Sequence, residues 1–358
     1  MEKIKVGLIG LEHVHGADLV RQFRKYPDRA EVIGVADIEE NTADELEYKL
    51  SHNVYDARDI KLWDNYKELL ANIDVALIGT DVAGHADIAC EVLAAGVNAV
   101  VEKPMALSMA DAKRMYRAYH TSDAELIINW PIAWFPSFRK VKELADSGAV
   151  GKVLRVQYRS PATTGPYDVN TEKVSDLEKT WWYHSDRGGG SICDYACYGC
   201  VLTTWITNKI AKRVSGMKKN FFLPFSDAED YSTFTIDFGD SVGFLEGSWS
   251  TLNSGEIATG PVVYGSKGTL VADRYSNEVK VYTTVPRYKP SPAPDEVFAA
   301  EPIEDNIGLN VLDFLQKGKP LYELVTAEFN MKAMAALDAG IRSCKSGNIE
   351  PCEEPFEI

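Results

Sequence analysis

The run Val6-Gly7-Leu8-Ile9-Gly10-Leu11-Glu12-His13-Val14-His15-Gly16 has the form of a phosphate-binding turn. An apolar strand that opens through glycines into a helix can bring backbone N–H groups to a pyrophosphate. The fingerprint G-x-G-x-x-G is met only at its first position, Gly10. Glu12 stands where a second glycine lets the backbone approach the phosphates, and it adds bulk and negative charge. Asp37 ends the second apolar run, where a carboxylate accepts hydrogen bonds from an adenosine ribose. A carboxylate there repels a 2′-phosphate, and Ile38-Glu39-Glu40-Asn41 holds no Lys or Arg to attract one. The chemistry suggested is binding of NAD in preference to NADP; the alternative is a solvated acid in a polar loop.

Ile78-Gly79-Thr80-Asp81-Val82-Ala83-Gly84-His85 leads into a helical pattern, then Gly96, then Val100-Val101-Glu102-Lys103-Pro104. On these residues the sequence resembles the glucose-fructose oxidoreductase/inositol dehydrogenase (Gfo/Idh/MocA) family, marked by Glu-Lys-Pro at the end of the fifth strand. Further matches follow in order: Tyr66 to Leu70, Asn129, Pro136 to Phe138, Ser147 to Gly151, Gly188-Gly189-Gly190 with Asp194, Gly265 to Thr269, and Ser346-Gly347. The resemblance implies an oxidoreductase moving hydride between a nicotinamide cofactor and a sugar, polyol or related cyclic alcohol. A carbinol that loses hydride must also lose its hydroxyl proton, so the site needs a cation and an acid/base group. By the resemblance, Lys103 hydrogen-bonds the reacting oxygen and Glu102 holds the Lys103 ammonium in place.

Many members of that family carry Asp-x-x-x-His; here Asp194 is followed by Tyr198, a variant also found in the family. Residues four apart on a helix share a face. A nearby ammonium favours the phenolate and lowers a Tyr pKa from about 10. Lys103 and Tyr198 then form a proton-transfer pair, with Asp194 orienting Tyr198 or substrate. Gly10, Glu12, His13, Val14, Asp37, Thr80, Asp81, His85, Glu102 and Asn129 are expected on the cofactor. Trp181-Trp182-Tyr183-His184 and Arg187 suggest a sugar site, with Trp182 stacking on C–H faces and His184 and Arg187 binding hydroxyls; the alternative is core packing or a subunit contact. Glu12 and Tyr198 motivate a second reading, a non-catalytic ligand- or NAD-sensing regulatory protein on the same scaffold.

His13, His15 and His85 suggest a metal, but His15 and His85 match turn positions of the family, so local hydrogen bonding and no metal are expected. Cys193, Cys197 and Cys200 have the spacing of an iron–sulfur motif. Gly199 precedes the third cysteine where that motif carries an aromatic, and spacings of four and three place small residues on one packing face of a helix.

These groups need a scaffold. Apolar runs at Ile4 to Ile9, Glu31 to Asp37, Asp74 to Gly79, Asn98 to Val101 and Glu125 to Ile128 alternate with helical patterns at Ala17 to Tyr26, Ala43 to Ser51, Trp63 to Ala71, Ala83 to Ala95 and Ser108 to His120. Such alternation predicts α/β, a doubly wound Rossmann domain over 1–129. After a helix over Pro136 to Ser147 come β-rich stretches at Val153 to Arg159, Ser232 to Phe238, Val242 to Ser250, Val262 to Tyr264, Thr269 to Ala272 and Val279 to Thr283, with helices over Ser191 to Thr207 and Val325 to Ser346 and a Pro-rich loop over Pro286 to Pro294. This predicts an α+β domain over 130–358 with a large, mostly antiparallel open sheet, for substrate binding and, by the resemblance, formation of a homodimer or homotetramer.

The 358 residues suit two domains. With 53 acidic against 38 basic residues the net charge is −15, which argues against nucleic acid or an anionic membrane as partner. The first apolar run stops at Glu12, too soon for a signal-peptide core, and Leu126 to Phe135 is broken by Asn129 and Pro131. A cytoplasmic protein with six reduced cysteines and a small-molecule substrate is expected.

Overall fold

The computed structural model describes residues 2–53, 59–160, 165, 172–251, 258–283 and 293–357. Six strands form the first sheet: β1 Ile4–Ile9, β2 Ala30–Ala36, β3 Leu62–Trp63, β4 Val75–Ile78, β5 Asn98–Glu102 and β6 Leu126–Asn129. They run parallel in the order β3-β2-β1-β4-β5-β6. Parallel pairing requires crossovers, supplied by helices Gly16–Arg24, Ala43–His52, Tyr66–Leu70, His85–Ala94 and Met109–His120. Both faces are therefore covered, and β4 is buried at every residue. The strand order reverses between β1 and β4. In open parallel sheets the crevice at the carboxyl ends of such a pair receives the ligand.

The helix expected over 63–71 is shorter. Leu62–Trp63 instead pairs with Val35 and Ala36 at the sheet edge, and Asn65 caps Tyr66–Leu70 by accepting from Lys67 N–H. An Asx cap offered to the backbone outcompetes extension of the helix towards Trp63.

The second sheet has nine strands: β7 Val153–Arg159, β8 Arg213–Lys219, β9 Tyr231–Asp237, β10 Val242–Ser248, β11 Val262–Gly265, β12 Thr269–Asp273, β13 Glu278–Tyr282, β14 Glu296–Ala299 and β15 Glu350–Pro351. Their order is β14-β13-β12-β11-β7-β10-β9-β8-β15. Only β7 and β10 pair in parallel. Val156, Phe234, Leu245, Val263 and Leu270 bury the inner face against helices that include Pro136–Asp146, Cys197–Thr207 and Ala327–Ser346. The opposite face carries Met217, Val242, Phe244 and Val297, all exposed. One covered and one open face produce the period-2 pattern expected of antiparallel sheets.

The strands β8, β14 and β15 and the helix Ile307–Lys317 lie outside the expected elements. β8 reads Arg-Val-Ser-Gly-Met-Lys-Lys, whose polar outward positions hide its alternation. The helix Ile307–Lys317 is capped by Asn306 and closed by Gly318, and it packs on Gly16–Arg24 of the first sheet's layer. The Pro-rich loop Pro286 to Pro294, apart from Ala293 and Pro294, lies outside the described residues. No helix among the described residues is long and apolar enough to cross a membrane.

Candidate active site

The turn after β1 meets the end of β4 at the crevice. Gly10 has φ +84°, and a Cβ on it would lie 2.5 Å from Thr80 Cγ2, so only glycine keeps the turn tight there. Glu12 does not stand alone. Its carboxylate lies 2.6 Å from Lys49 Nζ, which also lies 2.8 Å from Asp37. Burial raises the Glu12 pKa, with Lys49 and Arg187 pulling against it. Burial likewise opposes the Lys49 charge, but Glu12 and Asp37 outweigh it and raise its pKa. Asp37 is engaged on both oxygens: by Leu11 N–H and Ile38 N–H on Oδ1, and by Asn41 Nδ2 and Lys49 on Oδ2. A cleft of about 530 Å³ opens here, lined by Glu12, Glu39, Lys49, Trp181 and Arg187 among others. The tight glycine turn, the cleft and two cations beside Glu12 fit a dinucleotide, with Lys49 and Arg187 offsetting the charge that Glu12 sets near a pyrophosphate. Lys49→Met is expected to weaken NADH binding by about tenfold or more, because two buried carboxylates lose their shared cation. Adding Glu12→Gly should restore most of the loss, as read by fluorescence titration of the single and double variants.

β5 ends at Glu102, and Lys103 follows it at the carboxyl end of the strand. Lys103 is 1% exposed. Its ammonium donates to Asp194 Oδ1 and to the Asp194 carbonyl, both at 2.9 Å. Asp194 Oδ2 accepts from Trp249 Nε1 at 2.8 Å. An ammonium carries three N–H donors, so one remains for another oxygen. The ring of Tyr198 lies 4.9 Å from Lys103 Nζ. Burial works against the Lys103 charge, yet Tyr198 and Asp194 outweigh it and hold its pKa well above the usual lysine range.

Glu102 does not hold the ammonium, contrary to expectation. Its carboxylate accepts from Asn129 Nδ2 at 2.5 Å and from the Lys103 backbone N–H at 3.1 Å, and it meets His15 Nδ1 at 3.4 Å. Burial would raise its pKa, but His15, His13 and Asn129 prevail and pull it down to about 2. Glu102 thus fixes the backbone at Lys103 while Asp194 aims the side chain. Nor does Lys103 lower the Tyr198 pKa below its ordinary value. Burial dominates and pushes it well above, with Lys103 pulling only part of the way back.

Asp194 and Tyr198 share a face as expected, through a modified helix. Ile192–Ala196 forms a wide turn in which Cys197 N–H donates to Ile192 O, before the regular helix Cys197–Thr207. Widened turns of this kind re-aim side chains at functional sites. Tyr198, Asp194, Tyr195, Tyr158, Asn129 and His15 line a second cleft of about 570 Å³.

Of the other candidates, only Arg187 lines one of these two clefts. His13 is buried, with Trp182 and Trp181 rings at 5.0 and 5.6 Å, and burial lowers its pKa well below the ordinary value. Val14 is half-buried. Thr80 donates to Asp81 O, and Asp81 accepts from Gly84 N–H and Arg187. His85 Nδ1 faces Pro104 O at 3.0 Å. Trp182 is 2% exposed and stacks on Trp181. A Cβ on Gly189 would lie 2.3 Å from Trp182 O, so the glycine run lets this pair pack closely. His184 Nε2 meets Glu178 O at 2.7 Å. Arg187 lies 2.5 Å from Asp81 and 3.9 Å from Glu12, on the cleft beside the glycine turn. The trio Trp182, His184 and Arg187 therefore stands apart from the cleft that holds Tyr198.

Donor atoms of His13, His15 and Glu102 lie within 4.8 Å of one another and could hold a metal ion. Cys193, Cys197 and Cys200 form no such group among the described residues. Cys197 Sγ donates to Cys193 O at 2.9 Å, and burial raises all three thiol pKa values, as for packing cysteines.

Residues 4–129 match the family model for the Gfo/Idh/MocA oxidoreductase family, NAD-binding Rossmann fold, and residues 138–271 match the C-terminal domain of that family. The chain belongs to the Gfo/Idh/MocA family. Among relatives, myo-inositol 2-dehydrogenase of Thermotoga maritima is 27% identical over 166 residues, covering 44% of this chain and 46% of that one. Trans-1,2-dihydrobenzene-1,2-diol dehydrogenase of Xenopus laevis is 26% identical over 152 residues, covering 41% of this chain and 42% of that one. The alignment thus spans under half the length of these curated relatives. Among solved structures, the WlbA dehydrogenase from Bordetella pertussis, in complex with NADH and UDP-GlcNAcA, has a TM-score of 0.73 at 20% identity, covering 99% of this chain and 100% of that one. That likeness is one of fold.

Three residues of this Gfo/Idh/MocA site escaped the sequence. Lys49 comes from the helix after β2, beyond the loop Ile38 to Asn41. Trp249 follows β10 and anchors Asp194. Arg274 follows β12 and lines the cleft of Tyr198. A basic residue on the helix after the second strand was a signal for Lys49; Trp249 and Arg274 had no local signal.

Proposed function

We propose that this protein is an NAD-dependent dehydrogenase or reductase acting on a CH–OH group of a sugar, polyol or related cyclic alcohol. The observation that carries the reading is the buried Lys103 ammonium. It is aimed by Asp194 and faces Tyr198 at the carboxyl end of a Rossmann strand. The names of the inositol and dihydrodiol dehydrogenases support it, since both substrates are ring carbinols. Dinucleotide binding is assigned to 1–129, and substrate binding and oligomerisation to 130–358. The acids around Asp37 favour NAD over NADP, because the two cations in reach are already engaged, Lys49 by Glu12 and Asp37 and Arg187 by Asp81.

When bound, the nicotinamide supplies the hydride acceptor or donor. The remaining Lys103 N–H donates to the carbinol oxygen and stabilises negative charge on it. Tyr198 holds or receives the hydroxyl proton. Asp194 and Trp249 position Lys103, and Glu102 with Asn129 fixes the backbone beneath it. Apolar and aromatic walls at Trp134, Phe135, Tyr158 and Tyr195 limit water in the cleft. A screen of sugars, inositols and diols with NAD, followed by absorbance of the reduced nicotinamide, tests the reading. Turnover of a carbinol that is lost in Lys103→Met supports it; a complete absence of turnover together with NADH binding opposes it.

A homo-oligomer and a cytoplasmic location belong to the same reading. Val242 and Phe244 on β10 and Met217 on β8 share the uncovered sheet face, consistent with a second copy packing there. Phe244→Glu is expected to shift the mass in sedimentation towards the monomer, without changing secondary structure.

A further inference from the structure

The charges around the Tyr198 cleft do not balance among themselves. Three acids line it, and each has a cation: Asp194 has Lys103 at 2.9 Å, Asp305 has Arg139 at 3.8 Å, and Asp18 has Arg21. Two cations line it as well, Arg274 and Lys25. Neither has a carboxylate partner among the described residues. Lys25 meets only the Gln22 side-chain oxygen, at 2.9 Å. Arg274 is half-buried, with its guanidinium 5.6 Å from the Phe135 ring and 4.7 Å from the Tyr275 ring. In a chain of net charge −15, an arginine held by aromatic rings in a cleft and left without an acid is a vacancy for an anion.

Its place relative to the reacting centre matters equally. Tyr158 and Tyr195 both line the cleft. Burial raises the pKa of each phenol, while the charges of both Arg274 and Lys103 pull against that rise. Both cations therefore act on the same pair of phenols. Tyr198, whose ring lies 4.9 Å from Lys103 Nζ, and Arg274 line the same cleft, so one ligand can meet both.

We propose that the substrate bears an oxyanion remote from its reacting carbinol, as in a sugar acid or a sugar phosphate, and that Arg274 receives it. A guanidinium fork matches either a carboxylate or a phosphate with two parallel hydrogen bonds. This names a substrate class for the dehydrogenase reading and rests on it for the position of the carbinol.

The test measures binding of D-glucuronate, D-glucose 6-phosphate and D-glucose to the cofactor-loaded protein by tryptophan fluorescence, with turnover measured in parallel. At least one anion is expected to bind more tightly than D-glucose by about tenfold or more, the value of a charge-assisted pair. The tighter anion tells a sugar acid from a sugar phosphate. Arg274→Gln should remove the preference, and Arg274→Lys should restore part of it. NADH affinity should stay unchanged in both variants, which shows that they are folded. Equal binding of the three probes, no binding of either anion, or a preference that survives Arg274→Gln overturns the proposal. Turnover of D-glucose without an anion preference would remove the Arg274 assignment and leave the dehydrogenase reading standing. An Arg274-dependent anion preference with no carbinol turned over would do the reverse.

Discussion

Lys103→Met is expected to lower kcat/KM by roughly 10³-fold or more, since it removes the cation that stabilises charge on the reacting oxygen. The substitution also strands Asp194, a buried carboxylate whose remaining side-chain donor is Trp249. Breaking one side of a buried ion pair costs roughly 3 kcal/mol of stability, so the single variant should melt earlier. Lys103→Met with Asp194→Asn removes the stranded charge. The pair should regain most of the stability and none of the activity. Thermal melting, NADH titration and kcat/KM on the three proteins separate the two effects. A double variant that regains turnover along with stability would show that Lys103 serves the fold alone.

Tyr198→Phe should lower kcat by about 10²-fold to 10³-fold, the range for loss of a positioned proton-transfer group, with NADH binding unchanged. Its pH dependence has a definite sign. Burial pushes the Tyr198 pKa well above its ordinary value, Lys103 pulls down, and Cys197, Asp194 and Glu102 push up. The phenol therefore stays protonated through the neutral range. Reduction of a carbonyl uses the protonated phenol, and its rate should be flat there. Oxidation of a carbinol needs the phenolate, so its rate should rise with pH by about tenfold per unit while the pH lies below the pKa. Tyr198→Phe should abolish that slope. A slope that persists in Tyr198→Phe would assign the proton transfer to another group.

Five of the six strands of the parallel sheet and its switch point were legible because each is a short apolar run and each crossover carries its own cap or glycine; the two-residue edge strand β3 was not. Glu102-Lys103-Pro104 was legible for the same reason, as a contiguous motif at a strand end. The partners of these residues were not. Glu102 and Lys103 are neighbours in sequence but face different groups: Asn129 and His15 for the acid, Asp194 for the base. Side chains alternate across a strand, so adjacency in sequence argues against a shared partner. Glu12 reads as a flaw in isolation. It is paired with Lys49, which lies on the helix after the next strand. Trp182 looked like an exposed sugar platform, yet His13 and Trp181 cover it, and an aromatic pair shows no sign in sequence of which face is open. Among the second domain's strands, β8 was hidden by polar residues on the open side of the sheet, where burial imposes no pattern.

The crevice at the glycine turn is expected to take a nicotinamide dinucleotide despite Glu12. Titration of the purified protein with NADH, read as quenching of tryptophan emission with energy transfer to the dihydronicotinamide, tests it most directly, because Trp181 lines the cleft. Saturable binding in the micromolar range is expected, tighter for NADH than for NADPH, and weakened in Lys49→Met. Absence of saturable binding by either dinucleotide would contradict it and leave Lys103 and Tyr198 without a hydride partner.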